Sequence, residues 1–227
     1  MKKLALTIAF LGVLPAGLQA GEVTLATSNP PGTPLTMTPG TTSGAMFVDV
    51  FSNNPPNTDA MAAWSFQVEI VAQPGATGTL TFQDPATGTP SNPPNYVFGA
   101  NGLGIAATNT GTVLSANDFF NPSAGAGALV PGLPGVNLLQ MDFSASSTAS
   151  GLFGIYADEG VAKTQWTDSN FATQLFANVP DGTGTVLIGE VRVAPVPEPS
   201  SLCLFLSGGT ALVGYRLRRR YRPDPKR

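Results

Sequence analysis

The chain has 227 residues, 26 of them Gly and 21 Pro, with 11% charged residues, a single cysteine and no histidine. That length suits one domain with added segments, and the missing histidine and lone Cys203 exclude a Ser-His-Asp triad, an intrachain disulfide and a Cys/His zinc site. The formal charge of −3 hides an acidic body: between Gly21 and Pro195, Lys163 and Arg192 face twelve carboxylates, a formal −10 that repels nucleic acid.

Residues 1–20 read "MKKLALTIAFLGVLPAGLQA". Lys2 and Lys3 give a positive start, Leu4 to Leu14 an apolar run, and Pro15 and Gly17 a break before the small residue Ala20. This is a secretory signal pattern, predicting cleavage after Ala20. An uncleaved anchor is the alternative, although the apolar run is shorter than the ~20 residues a span prefers.

The body, residues 21–194, alternates with period two at several places. "EVTLAT" (22–27) is predicted to open a sheet, and "AMFVDVF" (45–51) reads as an interior strand. "AWSFQVEI" sets Trp64, Phe66, Val68 and Ile70 against Ser65, Gln67 and Glu69, a half-buried strand. "TLTF" (79–82), "LLQMDFS" (138–144), "LFGIYA" (152–157) and "TVLIGEVRV" (185–193) are further strands. "DSNFATQLFANV" (168–179) predicts one short helix capped by Asp168, with Phe171, Leu175 and Phe176 on one face. Turn-rich runs such as "SNNPPNTD" and "NPSAGAGALVPGLPG" separate the strands, and their prolines bar them from a central strand. The expected fold is all-β, an antiparallel sandwich such as a jelly roll, followed by a single C-terminal transmembrane helix.

That helix lies in the last segment, residues 195–227. Pro199 to Tyr215 carry no charge, and at ~1.5 Å per residue reach about 25 Å of a ~30 Å hydrocarbon core. Arg216, Arg218, Arg219, Arg220 and Arg222 follow as a cytoplasmic stop, their long stems able to snorkel. Ahead of the span, Val196-Pro197-Glu198-Pro199 is held extended, since each proline fixes φ and lacks an N–H. Cys203 reads as a small apolar residue of the span, with acylation as the alternative.

Chemistry is sparse elsewhere. Asp158 and Glu159 are adjacent, so in a strand they point to opposite faces and make a poor acid–base pair. No P-loop, nucleophile elbow or His-Glu-x-x-His motif is present, and no cofactor or metal site is predicted. Calcium is the one metal the composition favours; Asp59, near Asn53, Asn54 and Asn57, and Asp181 are candidate ligands, against the alternative of solvated polar loops. Trp64 alternates with core residues. Trp166, beside Lys163 and Asp168, is the better candidate of the two for a glycan contact, with core or cap packing as its other role.

Taken whole, "VPEPSSLCLFLSGGTALVGYRLRRRYR" resembles the PEP-CTERM sorting tail of Gram-negative bacteria: a Val-Pro-Glu-Pro lead, a short Gly-containing span and a terminal arginine cluster, in that order. The end "YRPDPKR" is longer than the pattern. The resemblance implies recognition by an exosortase, a multi-pass membrane cysteine protease-transpeptidase, through Val196, Pro197, Glu198 and Pro199. It implies transient anchoring in the cytoplasmic membrane, tail removal, and a place on the cell surface or in an exopolysaccharide matrix or biofilm. The body's "MFVDVFSNNPPNTDAMAAWSFQVEIV" and "GTVLIGEVRV" are more weakly similar to cohesin-type or related carbohydrate-binding sandwiches. Together these imply an exported, non-enzymatic surface or matrix protein. A membrane-anchored adhesion or carbohydrate-binding module with an uncleaved tail is the alternative, and a secreted glycan-active enzyme a third.

Overall fold

The computed structural model describes residues 23–53, 59–83, 93–160 and 162–194. Two sheets face each other across one continuous hydrophobic core. The smaller sheet runs β1 (Val23–Thr27), β3 (Thr42–Ser52), β9 (Val136–Ala145) and β5 (Leu80–Phe82), with every neighbour antiparallel. The larger sheet is built on β4 (Ala60–Ala72). One edge of β4 pairs with β7 (Val113–Phe119), itself paired with β6 (Ala106–Asn109), and with the short β8 (Ala128–Leu129). The other pairs with β10 (Gly151–Asp158) and β11 (Gln165–Asp168), which continue to β13 (Thr185–Val193) and β12 (Thr173–Gln174) respectively. The edge strand β2 (Leu35–Met37) joins β13 in parallel, the one departure from antiparallel pairing in these ladders.

The predicted period of two determines which side of β4 is buried. Trp64, Phe66, Val68 and Ile70 are all buried, and Ser65, Gln67 and Glu69 alternate with them on the outer face. Trp64 and Phe66 stack with ring centroids 5.2 Å apart. In the smaller sheet, Val48, Leu139, Met141 and Phe143 face them, and Phe143 packs on Phe82 at 5.5 Å. Aromatic pairs in such geometries add modestly to burial of their area.

The seven sequence-predicted strands all appear, with longer bounds at β3, β4, β9 and β10. The six others, β2, β6, β7, β8, β11 and β12, carry too few residues or too polar a pattern to stand out. The predicted helix at residues 168–179 does not form. Asp168 is used as a turn residue instead: its Oδ1 accepts from Asn170 N at 2.8 Å and from Ala172 N at 2.9 Å. The chain reverses there through Phe171 at φ 63°, and Thr173–Gln174 pairs back onto β11. Beyond it, Asn178 brackets Leu25, accepting from its N at 3.0 Å and donating to its O at 2.7 Å. Those bonds satisfy β1 on its open edge, where a strand would otherwise be a template for aggregation.

The two ends of the sandwich differ. At one end β3 leaves its sheet and β4 begins; Val23 starts β1 beside Ser52 there. At the other end β13 finishes at Val193, opposite Gly151, and Ala194 is the last described residue. Phe143→Ala removes a fully buried ring between the sheets and is expected to cost about 3–5 kcal/mol. Urea denaturation measures it, and a loss below about 1 kcal/mol contradicts this packing.

Candidate functional site

Trp64 pairs with Asp118 on β7 and with Trp166 on β11, so the three form one row across the inner face of the larger sheet. Trp166 is only 3% exposed, and its Nε1 donates to Leu175 O at 3.1 Å. Its ring is therefore a core element and is not offered as an exposed stacking platform. The sequence placed it beside polar residues, but β11 turns that position inward against Trp64.

Asp118 is wholly buried. Its Oδ1 accepts from Phe119 N at 2.7 Å and its Oδ2 from the Tyr96 hydroxyl. Burial first, then the bond to Asp118 and its charge, push the Tyr96 hydroxyl well above the usual phenol range. The Trp64 indole N–H opposes that shift but falls outside hydrogen-bond geometry and stays unpartnered. Gly102 closes over this pair: a Cβ there would lie 2.6 Å from Asp118 Oδ2. The arrangement ties the segment around Tyr96 to β7 and leaves no room for a substrate.

Several of the other acids are also spent on structure. Asp158 and Glu159 separate as their adjacency predicts. Asp158, 5% exposed, accepts from Lys163 Nζ at 2.9 Å and from Gln67 Nε2. Glu159 Oε2 accepts from Gly184 N at 3.0 Å. Asp59 accepts from Ser52 Oγ at 2.5 Å, while Asp181 is exposed. Asn54 and Asn57 lie outside the described residues, and among the described residues no three His, Cys, Asp or Glu side chains gather as metal ligands. Between β5–β9 and β6–β7 a cavity of about 30 Å³, lined by Phe82, Leu114, Met141 and Asp142 among others, holds space for about one water.

The outer face of the larger sheet was visible in the sequence only as the polar side of β4. Register completes it. Asn117, Ser65 and Gln165 are direct cross-strand neighbours, as are Phe119, Ala63 and Thr167 one pair further along. Gln67 lies on the other side, bonded to Asp158 and accepting from Ser115 Oγ at 3.3 Å.

Ala20, Val196, Pro197, Glu198, Pro199, Cys203, and the arginines Arg216, Arg218, Arg219, Arg220 and Arg222 lie outside the described residues, as does the predicted membrane helix. No helix among the described residues is long and apolar enough to cross a membrane. A family model, the PEP-CTERM protein-sorting motif, matches residues 195–220, immediately after Ala194. The chain carries a PEP-CTERM sorting motif. The motif marks an exosortase-targeted, exported protein of the cell surface or extracellular space.

No curated protein matches the chain in sequence. Solved structures similar to it include the second type II cohesin module of the adaptor scaffoldin ScaA from Acetivibrio cellulolyticus, 10% identical, covering 81% of this chain and 96% of that one with a TM-score of 0.44. The third cohesin of ScaC from the same organism, solved with the ScaB dockerin, is 13% identical over 75% of this chain and 98% of that one, at 0.43. The cohesin module of a Clostridium perfringens family 33 glycoside hydrolase is 9% identical over 78% and 98%, at 0.39.

Two outcomes test the electrostatics. Tyr96→Phe leaves Asp118 buried with one donor fewer, and is expected to cost about 1–3 kcal/mol in urea denaturation; an unchanged midpoint refutes the tie. Asp49, on the outer side of β3 with Oδ1 buried and unpartnered, has its carboxyl raised from 3.8 to about 6 by burial. A raised acid pKa favours the protonated folded state, so this contribution is full below about pH 4 and lost as pH rises through about 6. Asp49→Asn is expected to be more stable than the parent by about 1 kcal/mol at pH 8, after allowance for solvent screening, and to match it near pH 4. The two denaturation curves check the sign.

Proposed function

We propose that this is an exported, non-enzymatic surface or extracellular-matrix protein whose C-terminal tail is recognised and processed by an exosortase-type membrane transpeptidase. The observation that carries the reading is the sorting motif at residues 195–220. Its parts make physical sense in that role. Two prolines keep the Val196–Pro199 segment out of a helix, so an extended peptide is presented to a protease groove. The uncharged run from Pro199 to Tyr215 is then held in the bilayer, and the arginines from Arg216 to Arg222 remain on the cytoplasmic side. The leader ending at Ala20 delivers the acidic body to the opposite side. After processing, the body joins the cell surface or the exopolysaccharide matrix.

The non-enzymatic part is supported by how the carboxylates are used. Asp118 is sealed by Tyr96 and Gly102, Asp158 is paired with Lys163, and Asp168 shapes a turn. A glycosidase needs two carboxylates facing each other across a cleft at ~5–9 Å.

The mass of the protein recovered from exporting cells tests the proposal. Loss of residues 1–20 and of a segment beginning near Pro199 is expected. Replacing Pro197, Glu198 and Pro199 together with alanine is expected to leave a longer product in the membrane fraction. Recovery of the parent with its arginine-rich end intact supports a permanent anchor and overturns processing. Unaltered trimming of the triple variant removes the motif from its assigned role.

A further inference from the structure

Among the described residues six large apolar side chains stand exposed, and five of them sit at one end of the sandwich. Phe119 pairs with Ala63 near the start of β4, and Leu103 N donates to Phe119 O at 2.9 Å. Leu129 pairs with Ala60. Phe171 tips the turn that follows Asp168, the partner of Met61. Leu133 lies in the loop held to the end of β3, where Ser52 N donates to Pro131 O at 2.8 Å. These five are 55–77% exposed, and at ~200 Å² for a whole Leu or Phe they leave roughly 600 Å² of apolar surface in water. That is the top of the range for the largest patch on an ordinary monomer, about 300–600 Å². It is also most of the ~800 Å² that each partner gives to a standard interface.

Phe171 adds a second sign. Its φ of 63° lies in the left-handed region, where Gly, Asn and Asp are at ease and a bulky ring is strained. At 70% exposure its packing within the body does little to offset that strain. A contact made outside the body is what such a ring can gain.

Charge decides what kind of face can meet this one. The nearest carboxylates along these segments are Asp59, Asp118 and Asp168, and each is hydrogen-bonded within the body. Asp158 and Lys163 lie beside Gln67, about 23 Å along β4 from Ala60, and Glu69, Glu190 and Arg192 lie further toward the Val193 end. The end therefore offers no counter-charge to a charged partner. Two bodies of formal charge −10 repel each other, but charges set back by more than the ~10 Å Debye length are largely screened. An equally apolar face is the match, and every copy of the chain carries one.

We propose that the protein self-associates end to end, with Leu103, Phe119, Leu129, Leu133 and Phe171 of one copy packed on the same five of a second across a two-fold axis. Ala194 lies at the far end of each body, so the two sorted ends point apart, roughly 80 Å from one another at ~3.3 Å per strand residue. A pair built this way links two attachment points. That use rests on the reading of the chain as an exported protein attached after its tail is processed.

Sedimentation velocity over a concentration series, on trimmed protein recovered from exporting cells, tests the proposal. The mass is expected to rise from one chain toward two. Phe171→Asn removes the ring and suits the left-handed backbone. It is expected to weaken association at least about tenfold while the thermal midpoint of the dilute, single chain holds or rises. Leu129→Asp is expected to abolish association, because it buries a charge in the contact. Val71→Ser, which alters the exposed apolar residue at the other end, is expected to leave association unchanged. A parent that stays single up to about 100 µM overturns the proposal. So does association that is equal in the parent and in Phe171→Asn and Leu129→Asp, since another surface then joins the copies. Flotation of a single-chain parent, but not of Leu129→Asp, with phosphatidylcholine vesicles also overturns it and assigns the face to lipid. Tail trimming is read separately by mass, so a correctly trimmed protein that stays single leaves the sorting reading standing.

Discussion

Burial of one face of β4 is the constraint on which the larger sheet depends. Thirteen residues long, this strand pairs with β7 and β8 along one edge and with β10 and β11 along the other. A shift by one residue would turn Trp64, Phe66, Val68 and Ile70 to solvent and bring Ser65, Gln67 and Glu69 into the core, a cost of several kcal/mol. The register of four neighbouring strands is therefore held by the hydrophobic pattern of one. The inner row Trp166–Trp64–Asp118 and the outer row Gln165–Ser65–Asn117 are two consequences of that same alignment.

The interior is not purely apolar, and its polar members are used as ties. A wholly buried carboxylate is tolerable only with donors, and Asp118 receives them from a neighbouring backbone N–H and a tyrosine on a distant segment. The same logic recurs at the edges: Asn178 supplies the strand-like bonds that β1 lacks, and Asp168 gathers two N–H groups into a reversal. Few acids are left for chemistry.

The arrangement also gives the molecule a direction. Ala194, where the sorting motif takes over, sits at one end of the sandwich; the exposed Leu103, Phe119, Leu129, Leu133 and Phe171 sit at the other.

The seven principal strands were legible as local alternation because period-two burial needs only the residues of one strand. The sorting tail was legible for a similar reason: its proline lead, uncharged run and arginine cluster are contiguous, and each acts through its own chain geometry. Local evidence failed at Asp168, where helix-capping and turn-forming uses of the same carboxylate look alike until β12 pairs back on β11. It failed also at Trp166, whose exposure depended on which side of β11 met Trp64. The pairing of Asp118 with Tyr96 and the outer row Gln165–Ser65–Asn117 were beyond reading for one reason. Each joins residues from segments distant in the chain, and their meeting follows from how two whole sheets bury their faces against each other.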